Sequence, residues 1–220
     1  MKKNVGASID NIIRIIKLEN KKFKVPIVTE IAKKGDPFKV LISCLLSLRT
    51  KDETTAKASL RLFQLADTPA KIITLKLPDI EKAIYPVGFY KVKAGRIKEI
   101  CKRLLDNYDG NVPDEIDELL KLKGVGRKTA NLVVTLGYNK LGICVDIHVH
   151  RISNRLGYVK TVSPDKTEMA LRKKLPKKYW KVYNDFLVTY GQNICVPVSP
   201  KCSVCKVISY CNRIDVKTSR

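Results

Sequence analysis

Cys195, Cys202, Cys205 and Cys211 fall within 17 residues in the pattern C-x6-C-x2-C-x5-C, a spacing that lets four thiolates converge on one centre. The end of the chain is therefore expected to be an irregular tail tied to a metal. Tetrahedral zinc and an iron–sulfur cluster both accept four thiolates. Structural zinc usually draws on two close pairs separated by a longer segment, and here Cys202 and Cys205 form a single such pair. The remaining cysteines, Cys44, Cys101 and Cys144, stand in apolar or helical surroundings and read as buried thiols.

Metal ligands and buried thiols, rather than disulfides, are what a reducing compartment favours. The first residues, Met1-Lys2-Lys3-Asn4-Val5-Gly6-Ala7-Ser8-Ile9-Asp10, contain no apolar signal region, and no run is long enough to span a bilayer. A cytoplasmic chain without signal peptide or transmembrane segment is expected, with no role at a membrane.

Periodicity elsewhere is helical. Ile9, Ile12, Ile13 and Ile16 make one apolar face, and Val40 to Leu48 is apolar enough for a buried central helix following a break at Gly35-Asp36-Pro37. Asp52 to Leu65, Pro69 to Leu75 and Pro78 to Tyr85 read as shorter helices. A longer one carries Ile97, Ile100, Cys101 and Leu104 and stops at Asp109-Gly110. After Gly137 and Gly142 the pattern resumes with Asp146 to Leu156, Pro164 to Leu175 and Lys178 to Tyr190. Strand signals are nearly absent, so the fold is expected to be all-α. The glycine-containing stretch is the best boundary between two lobes.

Lys and Arg number 43 against 21 acids, a formal charge of +22 that makes the surface attractive to polyanions, nucleic acid first among them. Ile116 to Leu122 forms an apolar helix. Lys123-Gly124-Val125-Gly126-Arg127-Lys128-Thr129 then leads into a second helix with Ala130, Val133 and Val134. This is a helix-hairpin-helix pattern, in which glycine lets the backbone turn sharply and approach an anion at the next helix N-terminus. Leu122, Gly124, Val125, Gly126 and Arg127 are accordingly candidate DNA contacts.

Gly-Val-Gly-Arg-Lys-Thr-Ala-Asn, followed by Val145-Asp146-Ile147-His148-Val149-His150-Arg151, closely resembles the helix-hairpin-helix glycosylases of the endonuclease III family over nearly the whole chain. The resemblance implies two helical lobes with a DNA cleft between them: a six-helix barrel-type domain at 29–140 that holds the hairpin, and a domain of 1–28 plus 141–220 that holds a [4Fe-4S] cluster on Cys195, Cys202, Cys205 and Cys211. It implies a monomeric base excision repair enzyme acting on double-stranded DNA with damaged bases or abasic sites. Such an enzyme removes oxidised or ring-saturated pyrimidines and then cleaves the strand by β-elimination. The resemblance also makes Lys128 the nucleophile that forms a Schiff base, with Arg127 and the helix N-terminus favouring its neutral amine. Asp146 is implied to stabilise charge on the sugar and assist proton transfers, a role compatible with capping a helix.

Arg49, in Leu45-Leu46-Ser47-Leu48-Arg49, stands where relatives commonly use a glutamine as a wedge, and Lys123 replaces a usual proline. Between Cys195 and Cys202 the segment Val-Pro-Val-Ser-Pro-Lys holds one base where several are common. His148 and His150 receive no catalytic role, and Arg151 is a candidate partner for Asp52 or a phosphate. Two other readings are a monofunctional mismatch glycosylase and a non-catalytic helix-hairpin-helix DNA-binding protein. Lys128 argues against the first, and Lys128 together with Asp146 against the second.

Overall fold

A computed structural model describes residues 5–32 and 35–220, and among these the chain is helical, with no strand. It divides into two compact units. One comprises Ile27–Gly142, and the other joins the described part of Met1–Pro26 to Ile143–Arg220. No helix among the described residues is long and apolar enough to cross a membrane.

The first unit, called here the hairpin unit, is built around α3 (Pro37–Ser47). Asp36 starts this helix by accepting the Lys39 N–H at 3.0 Å, with Pro37 in the first turn, where a missing N–H costs nothing. The Gly35-Asp36-Pro37 break is thus the cap of the central helix, which begins three residues earlier than its apolar run. Phe38 and Val40 to Leu46 are all buried, so this helix has no solvent face over most of its length. Around it pack α2 (Ile27–Ala32), α4 (Asp52–Leu65), α7 (Tyr90–Tyr108) and α9 (Arg127–Leu132). The short α2 was not expected from periodicity, because six residues are too few to set a helical repeat.

Between α4 and α7 lie α5 (Pro69–Thr74) and α6 (Leu77–Ile84), each starting at or next to a proline. Ile72, Ile80, Ile84, Ala94, Ile97 and Leu104 close the core on that side. The hairpin's first arm is α8 (Ile116–Leu120). Its second, α9, passes into a π-helical turn at Val133–Gly137.

In the second unit, called the cysteine unit, α1 (Ile9–Asn20) presents Ile9, Ile12, Ile13 and Ile16 to α12 (Trp180–Asn193). The helices α10 (Ile147–Leu156) and α11 (Pro164–Lys174) complete the core with Val149, Ile152, Leu156 and Leu171. The last helix begins two residues later than its pattern suggests, after a 3₁₀ turn at Lys177–Tyr179. Tyr158, Tyr183 and Tyr190 are almost fully buried, and their hydroxyls find protein partners at Lys174 O (3.0 Å), Ser153 Oγ (3.2 Å) and Cys205 Sγ (3.2 Å).

Candidate functional site

Two groups of residues concentrate the chemistry, one in each unit. In the hairpin unit, Leu122 and Val125 are buried and anchor the turn between α8 and α9. Gly124 and Gly126 are exposed. Gly124 takes φ +85°, a left-handed conformation that L-residues rarely adopt, and a Cβ there would also crowd the Arg96 side chain at 3.2 Å. Gly126 has ordinary φ, and the space where its Cβ would stand is open. The second glycine thus leaves the backbone at the start of α9 approachable. Lys123 does not disturb the turn and pairs with Glu99 at 3.4 Å.

Lys128 is the second residue of α9 and is half-buried. The helix α3, which packs against α9, carries Cys44. Burial pushes the Cys44 thiol up to about 12, and the Lys128 charge draws it partly back. That thiol stays neutral. Arg49 lies just after α3, exposed, with its guanidinium carbon 5.7 Å from the centre of the Phe89 ring. Arg49, Phe89 and Gly124 share the lining of a cavity of about 420 Å³ with Leu45, Leu48 and Arg96. Phe89 was not anticipated from sequence. It is 62% exposed, which is unusual for so large an apolar side chain.

Lys93 also lines this cavity and is 9% exposed. Burial lowers its pKa from the ordinary 10.5 to about 8. Because the folded value lies below the unfolded one, the unfolded chain binds more protons between about pH 8 and 10.5, and stability rises with pH across that window. Denaturant midpoints of the wild type should therefore gain on those of Lys93→Met as pH is raised through it. A constant difference between the two proteins would contradict the shift.

In the cysteine unit, Asp146 caps α10. Its Oδ1 accepts the backbone N–H groups of His148 (2.8 Å) and Val149 (2.9 Å), and the residue is 8% exposed. The capping role weighed for this aspartate is therefore present. His150 bonds to Thr167 Oγ1 at 2.7 Å through Nδ1 and belongs to a polar network with Asn154. Arg151 is committed within its own unit. It donates to the carbonyls of Cys195 (2.9 Å) and Gly191 (3.1 Å) and lies 3.0 Å from His148 Nδ1.

Cys195, Cys202, Cys205 and Cys211 line one small cavity of about 30 Å³, together with Ile194, Ile208 and Val216. They ring it rather than closing on a point. Among the described residues, no group of three or more His, Cys, Asp or Glu is set to hold a single metal ion. The backbone is shaped around the ring by two 3₁₀ turns, Cys202–Val204 and Ile208–Tyr210. Bonds from Asn212 N and Ile214 N to Leu156 O (3.2 Å) and Arg155 O (3.0 Å) tie the tail to the end of α10. Gly157 ends that helix at φ +80°, and a Cβ on it would stand 2.7 Å from Asn212 Nδ2, so both conformation and space call for glycine.

Donors surround the sulfurs. Arg155 reaches Cys195 Sγ at 3.6 Å, the Arg213 N–H reaches Cys211 Sγ at 3.4 Å, and the Tyr190 hydroxyl is 3.2 Å from Cys205 Sγ. Burial raises the Cys205 and Cys211 thiols above their usual range, and charge on the neighbouring cysteines adds to the rise. Four thiolates could coexist here only around a compensating cation.

Residues 42–177 match the HhH-GPD superfamily base excision DNA repair protein family. The chain is 50% identical over 179 residues to endonuclease III of Thermotoga maritima, covering 81% of this chain and 84% of that protein. It also resembles solved structures. A non-covalent endonuclease III–DNA complex aligns over 94% of this chain and 95% of its own, at 33% identity and a TM-score of 0.84. A trapped endonuclease III–DNA covalent intermediate, described as an estranged-adenine complex, aligns over 81% and 84%, at 38% identity and a TM-score of 0.76. By sequence and by fold, the chain belongs to the endonuclease III family within the HhH-GPD superfamily of base excision DNA repair proteins.

Proposed function

We propose that this protein is a bifunctional DNA glycosylase and abasic-site lyase of base excision repair, with Lys128 as nucleophile. The observation that carries the assignment is the position of Lys128, half-buried at the start of the helix that follows an exposed Gly124-Val125-Gly126 turn, in a chain of this family. An approachable backbone with an arginine and a lysine in the next two positions suits a DNA phosphate and the sugar beside it. Leu122 and Val125 anchor that turn, and Arg127 adds charge to it.

The neutral Lys128 amine attacks C1′ of the damaged nucleotide, and the glycosidic bond breaks as the base leaves with a proton. Ring opening gives a Schiff base between Nζ and C1′. Loss of the C2′ proton then allows the C3′–O bond to break and expels the 3′ phosphate, after which hydrolysis returns the lysine. Asp146 stabilises positive charge on the sugar and assists the proton transfers, while its capping bonds hold the carboxylate in one orientation. An enzyme acting at this bond must rotate its target out of the duplex, and Arg49 serves as the wedge that fills the gap.

The four tail cysteines are read as the ligands of a [4Fe-4S] cluster. A ring of thiols about a shared cavity, supplied with N–H and O–H donors to sulfur, supports this reading. When bound, the cluster supplies a structural centre, and none of the steps above requires a redox change. The cysteine unit is then the cluster-bearing domain, and the hairpin unit the one that grips DNA.

Oxidised or ring-saturated pyrimidines are the proposed lesions. A duplex with a single thymine glycol should release the base and be nicked at that position, as followed by product analysis and gel electrophoresis. Nicking of an abasic duplex without base release from thymine glycol would remove this lesion from the assignment.

A further inference from the structure

The long helix α7 carries a lysine in its apolar stripe. Lys93 stands four residues before Ile97, in line with Ile100 and Leu104, and its Nζ donates to Leu46 O (2.9 Å), Leu48 O (2.6 Å) and Thr50 Oγ1 (3.3 Å). An ammonium has three protons, and these three acceptors take them. Two are carbonyls at the C-terminal end of α3, where unsatisfied carbonyls and the negative end of the helix dipole attract a cation. Thr50 extends the clamp, since its Oγ1 accepts the Gly88 N–H at 3.1 Å and donates to Leu48 O at 3.3 Å.

The clamp joins two segments that each hold an exposed side chain in an uncommon backbone conformation. Arg49 has φ +53° and Phe89 φ +59°, and L-residues stay in the left-handed region only when their surroundings over-determine it. The segments also fit closely. A Cβ on Gly88 would stand 2.7 Å from Arg49 O, so the turn before Phe89 admits only glycine while the Arg49 carbonyl stays where it is. Arg49 stacked on Phe89 is thus a preformed pair, built on backbone that Lys93 and Thr50 pin from behind.

We propose that Lys93 is the positioning residue of the DNA-probing loop: by binding the end of α3 and Thr50 together, it presents Arg49 ready-made to the gap in a duplex. The proposal rests on the reading of Arg49 as the wedge. Preorganisation of this kind acts on the recognition of an interrupted duplex and not on general attraction to phosphate, which the basic surface supplies. A lysine that merely capped a core helix would affect stability and leave that discrimination untouched.

The test compares affinity for a duplex containing a tetrahydrofuran abasic analogue, which cannot be cleaved by β-elimination, with affinity for the intact duplex of the same sequence. Lys93→Met and Arg49→Ala should each lower this ratio roughly tenfold, and the double variant should lose no more than either alone, as expected for groups acting through one another. Thr50→Val leaves Lys93 in place and should lower the ratio in the same direction, which decides the matter if Lys93→Met does not fold. If Arg49→Ala lowers the ratio and neither Lys93→Met nor Thr50→Val does, or if the losses add, the positioning role is overturned and the wedge stands. If Arg49→Ala leaves the ratio unchanged, the wedge reading falls and this proposal with it.

Discussion

Replacing Lys128 by glutamine is expected to abolish strand cleavage at abasic sites, lowering the single-turnover rate on the order of a thousandfold or more while the protein still folds and still binds duplex DNA. The expectation follows from the role proposed for the residue and from where it sits. Without a primary amine no Schiff base forms, and hydrolysis by water alone does not create the intermediate from which the C3′–O bond breaks. Lys128 is half-buried on the first turn of α9, and glutamine is nearly as good a helix former as lysine, so the loss should be chemical and not structural. Asp146→Asn makes the complementary case. Asparagine caps a helix about as well as aspartate, so stability should change by no more than a few tenths of a kcal/mol, whereas Asp146→Ala should cost about 1 kcal/mol. Base release should nonetheless fall in Asp146→Asn, because the amide cannot balance charge on the sugar. Thermal melts and single-turnover rates of the two variants separate these roles, and full activity in Asp146→Asn would reduce this aspartate to its cap.

Serine at Cys202 or Cys211 is expected to have the second large effect, the loss of iron and of the broad visible absorption of a thiolate-bound cluster. The four cysteines stand in or just after two 3₁₀ turns and just beyond α12, and few apolar residues of the tail reach the core, with Val207 the main exception. Metal binding at such a site is folding free energy. The tail should therefore become sensitive to protease when one ligand is removed, while α3 and its neighbours in the hairpin unit keep their protection from hydrogen exchange. Cys101→Ser, in the core of the hairpin unit, should retain full iron content. Stoichiometric zinc without iron in the wild type would replace the cluster by another centre on the same ligands.

Much of this was legible in the residues. Isoleucine spacing in α1, prolines at or near the starts of α3, α5, α6 and α11, and the glycines of the hairpin fix helices or their ends by local rules that tertiary contacts did not override. The cysteine pattern foretold that the four thiols would share one cavity, because ligand spacing is itself local. What escaped was assembled from distant segments. Lys93 sits at a position of the α7 stripe that periodicity assigns to the core, and a lysine in that register was the available signal of a buried cation. Its partners at residues 46, 48 and 50 lie more than forty residues away, beyond any pattern within one helix. Phe89 and Thr50 were hidden for the same reason, and so was Arg155, which donates to Val196 O at 2.7 Å and Pro197 O at 2.6 Å and braces the loop that carries the first ligand.

Lys128 is the amine proposed to form the covalent bond with the sugar. Borohydride reduction of the wild type with an abasic duplex, followed by proteolysis and mass spectrometry of the DNA-linked peptide, tests it directly. An adduct is expected on the peptide spanning the Gly124 to Asn131 segment, with the added mass on Lys128 Nζ. No adduct, or an adduct on another of the chain's amines, would contradict it.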